Sequence, residues 1–349
     1  MSVNTYRFPV IDGLKAIASQ LIVWHHMAAY GPISDSVRLL YPTLITWLYE
    51  YARIAVQIFF VIGGYFVARS VFSVKNNISS ITLNIFNRYL RLVVPFFFAL
   101  IIAIIFAAIS RDISDHEFIP DFPKLPQFLS HIFLLHGVLD FDSISAGAWF
   151  IAIDFQLFIV MLCIAWLGGK TINSRKVILG IITLISTLSL FWFNRNPQYD
   201  DWAIYFFGAY GLGALAYSAS HLRHSAIWFW FNILLAALAL CIDFRLRILI
   251  AVIVALILFY IGNKQIKLGA LHQKIIHYLG TISYALFLVH FSVLMIANSI
   301  FSWFEIINPL AGGFFMLITW IGSLILADFF YRRIEKPATA LLKFNKKLI

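Results

Sequence analysis

Charged side chains make up only 12% of the 349 residues, about half the share of a soluble domain. With 62% hydrophobic residues, the chain cannot coat a water-soluble globule, and we read it as an all-α polytopic membrane protein. Cysteine is nearly absent. Cys163 and Cys241 both fall in apolar runs, which excludes a disulfide framework and a thiolate metal site. The histidines are scattered over several spans, so no metal is expected. Acids number 16 against 26 bases, for a net charge of +10. Such an excess could serve nucleic acid, but its distribution follows membrane topology, and no nucleic-acid partner is expected. Neither an internal repeat of the transporter kind nor a separate soluble domain is visible. The expectation is one transmembrane domain over 1–349, ending in a short basic tail at 337–349.

What is present is a succession of apolar runs of about 20 residues, the length that crosses a bilayer as a helix. They lie near 10–30, 52–72, 92–110, 148–167, 177–194, 202–219, 226–243, 245–262, 278–300 and 310–331. About ten transmembrane helices put both termini on one side. Most bases then share that side: Arg7, Lys75, Arg88, Arg91, Lys170, Arg175, Lys176, Arg223, Lys264, Lys267, Lys274 and the run from Arg332 to Lys347. The opposite loops hold Arg38, Arg111, Lys124, Arg195, Arg245 and Arg247, so both termini are expected to be cytoplasmic. Only Asp243–Arg247 separates 226–243 from 245–262, which reads as a tight hairpin with a charged tip. The connection 111–147 contains a short apolar piece, Phe128–His136. It is too short to span, and either lies in the interface or folds back as a re-entrant element.

Polar residues inside these runs are costly and therefore informative. The first span carries Asp12, Lys15, His25 and His26. Lys15 and His26 are eleven residues apart, three helical turns plus roughly 20°, so they share one face about 16 Å apart. His25 lies about 80° off that face. Asp12 can pair with Lys15 at i,i+3. The second span ends with Gly63-Gly64, which permits close helix packing or a break, and with Arg69. Arg88 and Arg91 stand at i,i+3 where the third span begins. They either anchor the cytoplasmic boundary or form a guanidinium fork for phosphates such as those of coenzyme A. Asp154, inside the fourth span on its outer side, needs a partner or serves a site. His290 in the ninth span reads first as a packing residue. Pro337, after Glu335-Lys336, is expected to end the last helix.

These features together resemble the acyltransferase-3 family of integral-membrane acyltransferases, which O-acetylate bacterial surface polysaccharides and related glycans. The opening Ile11-Asp-Gly-Leu-Lys15…His26 is similar to that family's first motif, with lysine where arginine is commoner. Phe59-Phe-Val-Ile-Gly-Gly-Tyr65 resembles its second-span signature, with Gly63 in place of the usual serine. Arg88-x-x-Arg91 followed by Pro95 resembles its double-arginine motif. Trp149…Asp154 resembles its tryptophan-to-glutamate motif, with the acid one carbon shorter. Ser283…His290 and Glu335-Lys-Pro337 resemble its late motifs, so the likeness runs from about residue 8 to 338.

The resemblance implies ten core helices in a bacterial inner membrane, and acyl-CoA, most simply acetyl-CoA, as the donor reached from the cytoplasm. It implies a glycan or lipid-linked saccharide as acceptor, presented near the outer face. On that reading His26 is the general base, or carries the acyl group covalently. Asp154 orients a histidine or the acceptor, and His25 supports or substitutes for the base. Arg88 and Arg91 hold the donor phosphates, and Lys15 lines the route toward His26. The rival is a transporter or flippase without acyl transfer, since ten spans with buried polar residues suit that equally.

Overall fold

The structure, a computed structural model, describes residues 9–73, 78–114, 116–262 and 270–345. Phe8 and the topology-setting bases Arg7, Lys75, Lys264, Lys267, Lys346 and Lys347 lie outside the described residues. Among the described residues there is helix and turn but no strand. The first half comprises α1 (Pro9–Ala29), α2 (Pro32–Arg38), α3 (Pro42–Tyr51), α4 (Val56–Ser73), α5 (Ile78–Ile113), α6 (Leu125–Ile132) and α7 (Ala148–Gly168). The second comprises α8 (Ser174–Phe191), α9 (Ala203–His221), α10 (Ala226–Ile242), α11 (Leu246–Ile261), α12 (Ala270–Trp303), α13 (Pro309–Phe330) and α14 (Lys336–Asn345).

A helix therefore stands at each of the ten predicted positions. Among the described residues, six runs are long and apolar enough to cross a membrane: Pro42–Phe72, Ile78–Ile113, Ala148–Gly168, Ser174–Arg195, His272–Trp303 and Pro309–Leu341. α10 and α11 are apolar but shorter. Two others fall outside the six for different reasons. α1 is diluted by Asp12, Lys15, Gln20, His25 and His26. α9 is rich in Gly, Ala and Tyr and buried along nearly all its length, so it has no need of a lipid-facing stripe. Pro337 does not end the chain's last helix. A π-helical turn at Tyr331–Glu335 intervenes, and Pro337 sits in the first turn of α14, where its missing N–H costs nothing.

The chain divides into two compact units, each gathered from separate stretches. One takes residues up to Ala18, Val56–Ile81 and Leu157–Ser283; the other takes Ser19–Ala55, Thr82–Gln156 and residues from Tyr284 onward. In the first unit α4 and α9 meet backbone to backbone. A Cβ added at Gly64 would lie 1.8 Å from the Tyr210 carbonyl oxygen, and one at Gly213 1.9 Å from that of Val61. Gly64 is thus required for helix contact, settling its two possible uses. The α10–α11 hairpin is present as expected. At its tip Asp243 pairs with Arg195 and Arg245, while Arg245 and Arg247 both hold the Asn194 side chain.

α5, which lies in the second unit from Thr82 onward, is 36 residues long, roughly 54 Å by helical rise. The Tyr89 hydroxyl donates to the Ile132 carbonyl at the end of α6. Ile113, at the other end of α5, is about 36 Å further along. The α5–α7 connection therefore folds back along α5 instead of capping it. Inside the connection the His131 and His136 rings stack in parallel, 4.0 Å apart. His131 is held on both sides: Nδ1 meets the Gln127 carbonyl, and Nε2 accepts the Ile144 N–H.

Candidate active site

His26 lies one turn before the end of α1 with its ring buried. Its Nδ1 is 2.7 Å from Nε2 of His290 on α12, and the two rings are nearly coplanar in orientation, 4° apart. His290 in turn places its Nδ1 2.9 Å from the Leu286 carbonyl oxygen. A carbonyl only accepts, so the His290 proton sits on Nδ1 and its Nε2 carries a lone pair. His26 must then donate from Nδ1. The free lone pair of His26 is thereby assigned to Nε2, the nitrogen available to take a proton or attack. One imidazole orients another, as a base is oriented by a third group in nucleophilic catalysis.

The end of α1 is fixed close to this pair. Gly31 follows the helix at φ +84, and a Cβ there would meet Asn298 Oδ1 at 2.4 Å. Asn298 accepts the Ile33 N–H and donates to the Leu294 carbonyl. His25 turns away: its Nδ1 contacts the Leu48 carbonyl and its ring lies against Tyr49.

Arg88 and Asp154 are joined. The guanidinium of Arg88 on α5 reaches the Asp154 carboxylate on α7 at 2.5 Å, with the Asp154 side chain 7% exposed. The sequence reading kept these two apart, with one holding phosphates inside and the other serving a histidine near the outer face. Of the alternatives open for Asp154, a partner or a site, the structure supplies the partner: its carboxylate pairs with Arg88. The cause is the folded-back connection, which starts α7 beside the middle of α5. Arg91 is exposed and lies within electrostatic reach of Arg88, Glu335, Tyr284 and Asp154. Tyr284 donates to the Leu92 carbonyl. Tyr284 and His290 are six residues apart on α12, about 9 Å of rise, so one helix carries contacts to both the arginine cluster and the imidazole pair.

Lys15 belongs to the first unit, where its ammonium lies 5.5 Å from the Phe66 ring centroid. The Asp12 carboxylate takes His277 at 2.9 Å, a partner 265 residues away that helical spacing does not reveal. Of the predicted site residues, then, the structure brings Arg88 to Asp154, while His25 turns from its neighbour His26 toward Leu48. It adds His290, which sequence reasoning had read as packing. The available signal was its place at the end of Ser283…His290. Among the described residues no three His, Cys, Asp or Glu side chains converge as a metal ion requires.

Apolar helices carry a buried, oriented imidazole pair and a carboxylate-held arginine, an arrangement that fits an integral membrane protein able to move a proton. The sequence matches the Acyl_transf_3 family, described as an acyltransferase domain, over residues 8–328. The chain belongs to that family, and is a membrane acyltransferase. No curated protein and no solved structure matches it.

Proposed function

We propose that this protein is an O-acyltransferase that moves an acyl group, acetyl in the simplest case, from cytoplasmic acyl-CoA to a hydroxyl of a cell-surface glycan or its lipid-linked precursor. The observation that carries the reading is the His26–His290 pair, whose hydrogen bonds leave Nε2 of His26 as a free base. That nitrogen takes the acceptor's hydroxyl proton as the oxygen attacks the thioester carbonyl. The C–S bond then breaks, and the proton passes to the departing thiolate, giving the ester and free coenzyme A. His290 spreads the transient positive charge, and His25 stands by as a neighbouring base.

Arg91 is the exposed contact for the donor's phosphates, and Arg88, held by Asp154, sets its surroundings. In this reading α1 and α9, with the six long runs and the two shorter apolar helices, complete ten spans with both termini in the cytoplasm of a bacterial inner membrane. A transporter would move its substrate without consuming a thioester. The test uses purified protein with acyl-labelled acetyl-CoA. Label moves into glycan with the wild type and not with His26→Ala, while Arg91→Ala raises the KM for the coenzyme. Full transfer by His26→Ala would overturn the assignment of the base. Glycan from cells with the gene should be heavier by one acyl unit per site than glycan from cells without it.

A further inference from the structure

We propose that the aromatic rings beyond His26 form an acceptor platform on which a neutral sugar ring lies flat, one hydroxyl directed at the imidazole. The inference rests on the acyltransferase reading above. Starting from His26, whose other side is closed by His290, Tyr30 lies at 5.8 Å between ring centroids. Tyr30 meets Phe118 at 6.3 Å and Phe291 at 5.2 Å, and Phe118 meets His116 at 5.6 Å. On the flank, Tyr49 lies 6.1 Å from His25. Phe118 and His116 come from the connection after α5, and His116 is moored to Ser302 near the end of α12. The rings therefore come from four separate parts of the chain, and Tyr30 and Phe291 among them meet the His26 ring directly.

Their exposure rises with distance from the base. Phe291 and His26 are buried, Tyr30, His116 and Phe118 are half-buried, and Tyr49 is 51% exposed. Tyr30 and Tyr49 lie within electrostatic reach of each other, and neither hydroxyl makes a hydrogen bond among the described residues. An aliphatic alcohol would be served by the Leu, Ile and Val that fill the core elsewhere. Flat rings with polar edges suit a different molecule, one with apolar C–H faces and a rim of hydroxyls. A pyranose has both. A ring face holds the sugar, the two phenols are left to bond its rim, and turning the sugar on that face selects which hydroxyl meets His26.

The experiment uses the full chain in detergent with labelled acetyl-CoA, and as acceptor probes maltotriose, chitotriose and 1-hexanol. The expected result is transfer to an oligosaccharide in preference to hexanol. Phe118→Ala raises the saccharide KM about tenfold, the donor KM does not follow, and Phe118→Tyr restores it. Tyr49→Phe, which keeps the ring and removes the hydroxyl, raises the saccharide KM less. Phe122→Ala, at a side chain 72% exposed and outside the platform, serves as the control for surface truncation. Preference for hexanol, transfer to neither oligosaccharide while thioester is still consumed, or an unchanged saccharide KM in Phe118→Ala and Tyr49→Phe would overturn the platform. Absence of any thioester consumption by the wild type would instead overturn the acyl-transfer reading beneath it.

Discussion

His290→Ala is the most incisive perturbation of this molecule. It leaves the His26 imidazole in place and removes the acceptor that fixes its tautomer. The 2.7 Å contact is between two side chains, His26 at 7% and His290 at 1% exposure, so water does not readily replace it. Leaving a buried N–H without a partner costs about 1–3 kcal/mol. At about 1.4 kcal/mol per factor of ten, that energy lowers the rate about 5- to 150-fold if it falls on the reacting tautomer. His290→Gln retains an oxygen that accepts from His26 Nδ1, and should recover a good part of the loss. The assay is kcat for transfer from labelled acetyl-CoA in detergent, with folding checked by a melting curve. His290→Ala with wild-type kcat would refute the orientation argument. So would His290→Gln as inactive as His26→Ala while equally well folded.

Three further outcomes follow from the packing and charge arrangement. Asp154→Asn leaves the Arg88 guanidinium beside a neutral amide; breaking a buried pair costs about 3–5 kcal/mol, reduced here to about 2–3 because Arg88 is 27% exposed. A detergent melt should show this, and joint replacement of Arg88 and Asp154 by leucine should recover most of it. Gly64→Ala forces a Cβ onto the Tyr210 carbonyl and should destabilise by about 1–3 kcal/mol. Gly13→Ala, whose nearest neighbour would be 3.6 Å away, should be neutral or stabilising by up to about 1 kcal/mol. Burial, and secondarily the neighbouring His131, pushes the His136 imidazole down from its ordinary 6.5 to about 3. The unfolded chain then binds a proton that the folded chain refuses, so stability falls as pH drops from 6.5 toward 3, by at most about 1.4 kcal/mol per unit. His136→Phe should flatten that slope in melts taken between pH 7 and 5, and an identical slope would count against the assignment.

Much of the architecture was written in local composition. A helix forms at each apolar run, and six such runs among the described residues are long enough to cross a bilayer, because within lipid a backbone must satisfy its own hydrogen bonds. The buried character of His26 and Asp154 was legible for the same reason, since each interrupts such a run. Their partners were not. His26 and His290 are 264 residues apart, Arg88 and Asp154 66 apart, and no periodicity within one helix encodes which other helix it will face. A connection that doubles back along α5 was open as a possibility, but only the fold decided it, and with it the fate of the Asp154 carboxylate. The sequence by itself determined which segments leave water and which polar groups go with them, because transfer from water depends on each segment's own composition. The tertiary structure alone decided how those groups neutralise and orient one another, because directional bonds form only between atoms that folding brings within 3 Å or so.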